Sequence, residues 1–252
     1  RIQFFQSGAI GDLVKEIIYS EDDLKEPILL DEFERYYLAF CLEAKGEGEL
    51  KIGALHKRYS HGPFGEMTVG AQTLRDSKRQ EIFAYFHPGD MKPPLNIYFS
   101  GYRPAEGFEG FVMMRRMGSP FILFSDPRLE GGSFYMGSQE LEDQIVAYID
   151  QYLDWLGFGP KEMNFSGLSM GTFGALYYGA SYSPHAILVG KPIVNLGDVA
   201  ANLKFKRPDE FGTSLDMMQL LVGQVSRECI DLLNQRFWDR FNQADLKDTI
   251  LA

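Results

Sequence analysis

Hydrophobic and polar positions follow two different rhythms along this chain. Up to about residue 90, aromatic-rich runs of strand length recur between glycine-bearing turns. They are Phe33 to Leu42, Glu49 to His56, Glu66 to Leu74 and Glu81 to Phe86, with Lys45-Gly46-Glu47-Gly48 as one of the turns. Several short strands in succession predict an antiparallel, sandwich-like β-module over residues 1–90. Its plain reading is a packing module; sugar binding is the alternative, suggested only by fold analogy.

Proline then marks a seam at His87-Pro88-Gly89-Asp90 and Lys92-Pro93-Pro94, because it removes backbone donors and restricts the residue before it. Beyond the seam the rhythm changes. Leu95 to Ser100, Phe121 to Ser125, Met163 to Ser166 and Ala186 to Val189 are short apolar strands. Between the second and third, Ser138 to Leu156 carries Ile145, Ile149, Tyr152 and Leu156 at helical spacing, with Ser138 placed to cap and Glu140 in the first turn. Leu215 to about Gln243 is helical again, with Gly223 as a break or close packing point. Strands alternating with helices predict an α/β domain over residues 91–252, its mostly parallel sheet covered by helices on both faces.

Composition narrows the class. Apolar residues make up 45% of the 252 positions and charged residues 24%, which excludes a wholly disordered or fibrous chain. No run is long and apolar enough to predict a membrane span. The formal charge is -10, with 11 basic against 16 acidic residues up to Asp90 and 14 against 19 after it. Neither part is basic, which argues against nucleic acid as a partner. Cys41 and Cys229 are too few for a disulfide scaffold or a cysteine metal cage, and neither a metal nor a resident cofactor is expected.

One segment carries chemistry. Gly167-Leu168-Ser169-Met170-Gly171 matches the G-x-S-x-G nucleophile elbow, with strand residues before it and a helical stretch after it. Ser169 is therefore the candidate nucleophile, at a strand-to-helix turn and in strained backbone angles. Gly167 and Gly171 leave room where the backbone folds back, and Gly174 permits close helix-to-sheet packing. Ile97-Tyr98-Phe99-Ser100-Gly101-Tyr102 ends a strand where this architecture keeps its oxyanion loop, so the N–H groups of Tyr102 and Met170 are the candidate oxyanion donors. Arg128, in Ser125-Asp126-Pro127-Arg128, either holds a substrate oxygen bidentately or closes a solvated turn onto Asp126.

The base is harder to place. Of the four histidines, His56 and His61 belong to the front module, His87 lies at the seam and His185 begins the strand after the elbow's helix, on the edge opposite Ser169. The usual order puts acid and histidine after the nucleophile. Asp198 is the alternative acid, or else caps a helix beginning at Val199. The chain begins at Arg1 rather than Met and ends at Thr249-Ile250-Leu251-Ala252, which reads as a further strand. The expectation is that the domain continues past residue 252, that acid and histidine lie there, and that residues 1–252 alone are weak in acyl transfer.

The elbow with its extension Phe173-Gly174-Ala175-Leu176-Tyr177-Tyr178-Gly179-Ala180, the Gly190-Lys191-Pro192 turn and Phe211-Gly212-Thr213-Ser214-Leu215-Asp216 resemble the second of the three accessory Sec system proteins, members of the α/β-hydrolase superfamily. The resemblance implies an O-acetyltransferase acting on N-acetylglucosamine of a glycosylated serine-rich repeat adhesin, from an unspecified acetyl donor, and also needed for export of that adhesin. It implies Ser169 as nucleophile and the other accessory Sec proteins and the adhesin as partners. The implied location is cytoplasmic, at the inner face of the membrane through those partners. A carbohydrate esterase and a non-catalytic scaffold of the export complex are the competing readings. A lipase-like enzyme is disfavoured because Val194 to Gln219 carries Lys204, Lys206, Arg207, Asp209 and Glu210 where an apolar lid would lie.

Overall fold

The computed structural model describes residues 1–7, 10–25, 28–30, 35–49, 55, 68–103, 106–129, 132–206 and 214–252. The chain divides into two compact units, Arg1–Ile52 and Gly53–Ala252. In the first, β1 (Ile2–Phe5) lies between β2 (Leu13–Ile17) and β3 (Tyr37–Phe40), paired antiparallel to both. Ile2 and Phe4 alternate onto the buried face, and Phe4 meets Tyr36 edge-on at 5.8 Å. Of the strand read at Glu49 to His56 only Glu49 and Leu55 are described, and Glu66 and Met67 of the run Glu66 to Leu74 lie outside the described residues.

The second unit is a seven-stranded sheet in the order β10-β9-β8-β6-β7-β5-β4. Its strands are β4 (Gln72–Arg75), β5 (Glu81–His87), β6 (Leu95–Phe99), β7 (Phe121–Ser125), β8 (Met163–Leu168), β9 (Ala186–Gly190) and β10 (Ile250–Leu251). β5 pairs antiparallel with both β4 and β7, whereas β7, β6, β8, β9 and β10 run parallel. The division expected near residue 90 is thus a change of pairing inside one sheet, and the units separate between Ile52 and Gly53. β4 and β5 pack with the parallel strands because Leu74, Ile82 and Ala84 share their core.

The connections set the layers. The chain runs outward from β6 to β7 through α1 (Phe111–Met117), then back past β6 to β8 through α2 (Gln139–Leu156). With right-handed crossovers, that reversal puts α1 and α2 on opposite faces. Strand alternation agrees: Leu95, Ile97, Phe99, Ile122 and Phe124 join the large core with α2, while Tyr98, Phe121 and Leu123 join a smaller cluster with Met114 of α1. Gly110 and Gly118 bound α1 in left-handed angles, a short helix that no hydrophobic period announced. Ser138 caps α2 as expected, its Oγ accepting the Leu141 N–H at 3.2 Å, and Leu141, Ile145, Ile149 and Leu153 are buried one turn apart.

Every residue of α3 (Met170–Gly179) is buried. Its glycines allow this: a Cβ on Gly174 would sit 2.4 Å from the Phe99 ring, and one on Gly179 2.9 Å from Ile187. Beyond α3 follow α4 (Leu196–Lys206), α5 (Ser214–Val222) and α6 (Glu228–Phe241), with Gly223 ending α5 at φ 85°. α6 covers α3 through Phe237, which packs on Phe173 at 5.3 Å. Burial first, and the adjacent Glu142 carboxylate second, push the Tyr177 phenol of α3 up to about 12. A group raised on folding gives stability that is complete below its unfolded value near 10 and is lost as pH climbs through about 12. Denaturant midpoints should therefore fall between those two values, and Tyr177→Phe should remove part of that fall.

Candidate active site

The strand order reverses between β6 and β8, so the segments leaving their carboxyl ends part towards opposite faces and open a crevice. β6 delivers Ser100-Gly101-Tyr102 to it, and β8 delivers Ser169. The crevice is a cleft of about 300 Å³ lined by Gly101, Tyr102, Glu109, Phe134, Leu168, Ser169 and Met170.

Ser169 stands at φ 54° and ψ -120°, a region that L-residues rarely occupy. The fold over-determines that conformation. Its N–H donates to the Gly190 carbonyl oxygen at 3.0 Å, at the end of β9. Its own carbonyl oxygen accepts the Thr172 N–H at 3.0 Å and the Thr172 hydroxyl at 2.6 Å. A Cβ on Gly167 would lie 2.2 Å from the Gly171 carbonyl oxygen, and one on Gly171 2.0 Å from the Phe99 carbonyl oxygen. Both obstacles are backbone, so neither can move aside cheaply. Gly171→Ala should cost about 1–3 kcal/mol as an overpacked site, read as a lowered urea midpoint with an unchanged slope.

The Ser100–Gly101 turn, the candidate oxyanion loop, is held from two sides. From below, the Tyr135 hydroxyl donates to the Ser100 carbonyl oxygen at 2.6 Å. From the front, the Glu109 carboxylate accepts the Gly101 N–H at 2.7 Å, and the Glu109 N–H donates to Ser100 Oγ at 3.0 Å. Phe134 and Tyr135 take left-handed angles, φ 57° and 63°, which send Phe134 to the cleft while Tyr135 stays in the core. Burial, and next the Asp126 carboxylate, hold the Tyr135 phenol well above its ordinary value, so it remains a donor.

The structure brings Ser169, Tyr102 and Met170 to one cleft. Other candidates it places elsewhere. Arg128 is buried, and its Nε and Nη2 grip the Asp126 carboxylate at 2.9 and 2.8 Å. That pair is internal, as the turn reading had it, but it is buried rather than solvated. Asp126 also accepts the Tyr135 N–H at 2.9 Å, so the pair supports the floor of the cleft and is not part of its lining. Asp198 is exposed in the first turn of α4, which begins earlier than expected, at Leu196, and its carboxylate accepts from Asn234 at 3.0 Å. His87 stacks on Phe121, ring centroids 5.0 Å apart, and His185 precedes β9. Phe121 and Ala186 open parallel strands, so both histidines stand at the edge opposite Ser169. His56 and His61, with Arg207, Asp209 and Glu210, lie outside the described residues. Among those described, no histidine lines the cleft, and no cluster of side chains could hold a metal ion.

Glu109, Phe134 and Tyr135 had no signal in the sequence reading. Strand, turn and helix mark Ser169 locally, whereas these three reach the site through loops that fold back on themselves.

The family described as accessory Sec system GspB-transporter matches residues 1–252. The chain belongs to that family. It is 48% identical over 252 residues to a curated accessory Sec system protein of Staphylococcus aureus, covering 99% of this chain and 48% of that protein. It spans about half the length of the curated relatives it matches. Among solved structures, a Glycosylation Associate Protein complex from Streptococcus agalactiae has a similar chain at 39% identity and TM-score 0.73, covering 100% of this chain and 48% of that one. A capsule O-acetyltransferase of Neisseria meningitidis serogroup A in complex with CoA is similar at 18% identity and TM-score 0.53, over 75% of this chain and 76% of that one. At that identity the likeness is one of fold, an α/β-hydrolase-like sheet flanked by helices.

Proposed function

We propose that the full-length protein is a serine-dependent O-acyltransferase. It acetylates N-acetylglucosamine on a glycosylated serine-rich repeat adhesin and supports export of that adhesin with other accessory Sec proteins, on the cytoplasmic side of the membrane. The observation that carries this reading is Ser169, held at φ 54° on the turn between β8 and α3, in a cleft with the oxyanion turn. A family of accessory Sec proteins and a fold relative that is a capsule O-acetyltransferase support it. Among the described residues no helix is long and apolar enough to cross a membrane.

In this reading Ser169 Oγ attacks the acetyl carbonyl of the donor while a histidine takes its proton. The Tyr102 and Met170 N–H groups stabilise the tetrahedral oxyanion, and collapse expels the donor's leaving group, which takes the proton from the histidine, to give acetyl-Ser169. A sugar hydroxyl, deprotonated by the same histidine, then takes the acetyl group and restores the serine. Neither His87 nor His185 can be that histidine from the far edge of the sheet. Among the described residues no other histidine is left, so the reading assigns the base, and the acid behind it, to residues outside those described.

Mass spectrometry of the adhesin glycan tests this directly. Cells carrying Ser169→Ala should lose sugar O-acetylation at unchanged protein abundance. Equal acetylation in both strains would overturn the enzyme reading. Transfer and hydrolysis differ only in whether a sugar hydroxyl or water reaches acetyl-Ser169, so acetate release without glycan modification would instead indicate the esterase.

A further inference from the structure

We infer that Glu109 is a positioning residue, which holds the oxyanion turn in its working geometry through two reciprocal hydrogen bonds. This rests on the serine acyl-transfer reading of the same cleft. The segment leaving β6 returns to the cleft at Glu109, immediately before α1. There the Glu109 side chain takes the Gly101 N–H at 2.7 Å, and the Ser100 side chain takes the Glu109 N–H at 3.0 Å. Two bonds of opposite direction thus close the mouth of the loop. The first fixes the plane of the Ser100–Gly101 peptide, which directly precedes the peptide carrying the Tyr102 N–H, and so limits where that candidate donor can lie.

Glu109 is itself anchored. Phe108 and Phe111, on either side of it, pack on Tyr85 at 6.0 and 5.5 Å. Gly110 takes φ 77° against the Tyr98 ring, where a Cβ would come within 3.2 Å. The backbone at Glu109 therefore cannot drift when its side chain pulls on Gly101. Space is tight on the other side as well: a Cβ on Gly101 would lie 3.2 Å from Glu109 Oε2 and 3.3 Å from the Leu168 carbonyl oxygen. A carboxylate is a stronger acceptor than a neutral amide or hydroxyl.

The test compares Glu109→Ala and Glu109→Gln in the full-length protein, using a small activated acetyl ester as probe. Glu109→Ala should lower kcat by about 10²-fold with KM little changed, because misplacing a transition-state donor weakens no ground-state contact. Glu109→Gln keeps an acceptor oxygen for Gly101 and should restore most of kcat. Amide hydrogen exchange supplies a readout that needs no catalysis: residues 100–103 should exchange faster in the alanine variant and near the wild-type rate in the glutamine variant. Unchanged exchange in Glu109→Ala overturns the inference. So does a glutamine variant as slow in turnover as the alanine one, since the charge and not the clasp would then matter. Should the wild-type protein show no Ser169-dependent turnover, the acyl-transfer reading falls, while the exchange comparison still decides whether Glu109 holds the turn.

Discussion

Replacing Ser169 with alanine should lower acetyl-ester turnover of the full-length protein by at least about 10³-fold while leaving its unfolding midpoint nearly unchanged. The two halves of this expectation have separate causes. Turnover falls because the attacking atom is gone, and binding with oxyanion stabilisation alone leaves only a small residual rate. Stability holds because the Ser169 side chain makes no capping hydrogen bond to α3, and alanine inherits the same backbone strain. The assay is initial-rate hydrolysis of the ester beside thermal unfolding of both proteins. Turnover that survives the substitution would place the nucleophile elsewhere. A collapse in stability would make Ser169 structural.

The largest loss of stability is expected at Glu142, far from any reacting atom. This carboxylate on α2 is only 2% exposed, yet it gathers four groups from three parts of the unit. Arg236 of α6 donates at 2.6 Å, the Tyr177 hydroxyl of α3 at 2.9 Å and the Gly137 N–H at 3.1 Å, with Arg240 at 3.6 Å. Arg240 also lies 3.9 Å over the Tyr177 ring. Glu142→Ala leaves those donors facing an apolar hole, and breaking a buried pair from one side costs about 3–5 kcal/mol. Arg236 and Arg240 keep some access to water, with side chains 32% and 25% exposed, which favours the lower end of that range. A loss of about 3 kcal/mol should lower the melting temperature by roughly 6–12 °C in a unit of this size. Urea unfolding checks it, and a loss under about 1 kcal/mol would mean that the network relaxes into solvent.

What could be read from the sequence was local. The elbow was legible because five consecutive residues, Gly167 to Gly171, encode strand end, turn and helix start together. The cap at Ser138 and the break at Gly223 were legible for the same reason. Glu81 to Phe86 was legible as a strand, but not its sheet, because its second partner, beyond β4, is β7 and pairing across intervening chain leaves no mark on either strand alone. Glu142 sits in an ordinary helical stretch and becomes a buried hub only when Arg236, 94 residues away, arrives from α6. Arg128 had two readings from its sequence, and the buried contact with Asp126 chose between them. Glu109 was invisible because its partner, Gly101, is reached only through a loop whose shape the residues between do not announce.

The left-handed angles of Ser169 have a consequence for the history of such a chain. Glycine would occupy φ 54° without the roughly 1–3 kcal/mol that a side chain incurs there. A lineage that kept this domain only as a docking surface would gain stability from glycine at 169, and only from glycine, since any side chain there keeps the strain. A chemically demanding hydroxyl at the least comfortable position of the elbow is therefore what continued selection on reactivity would maintain, and a descendant released from that selection should first betray itself there.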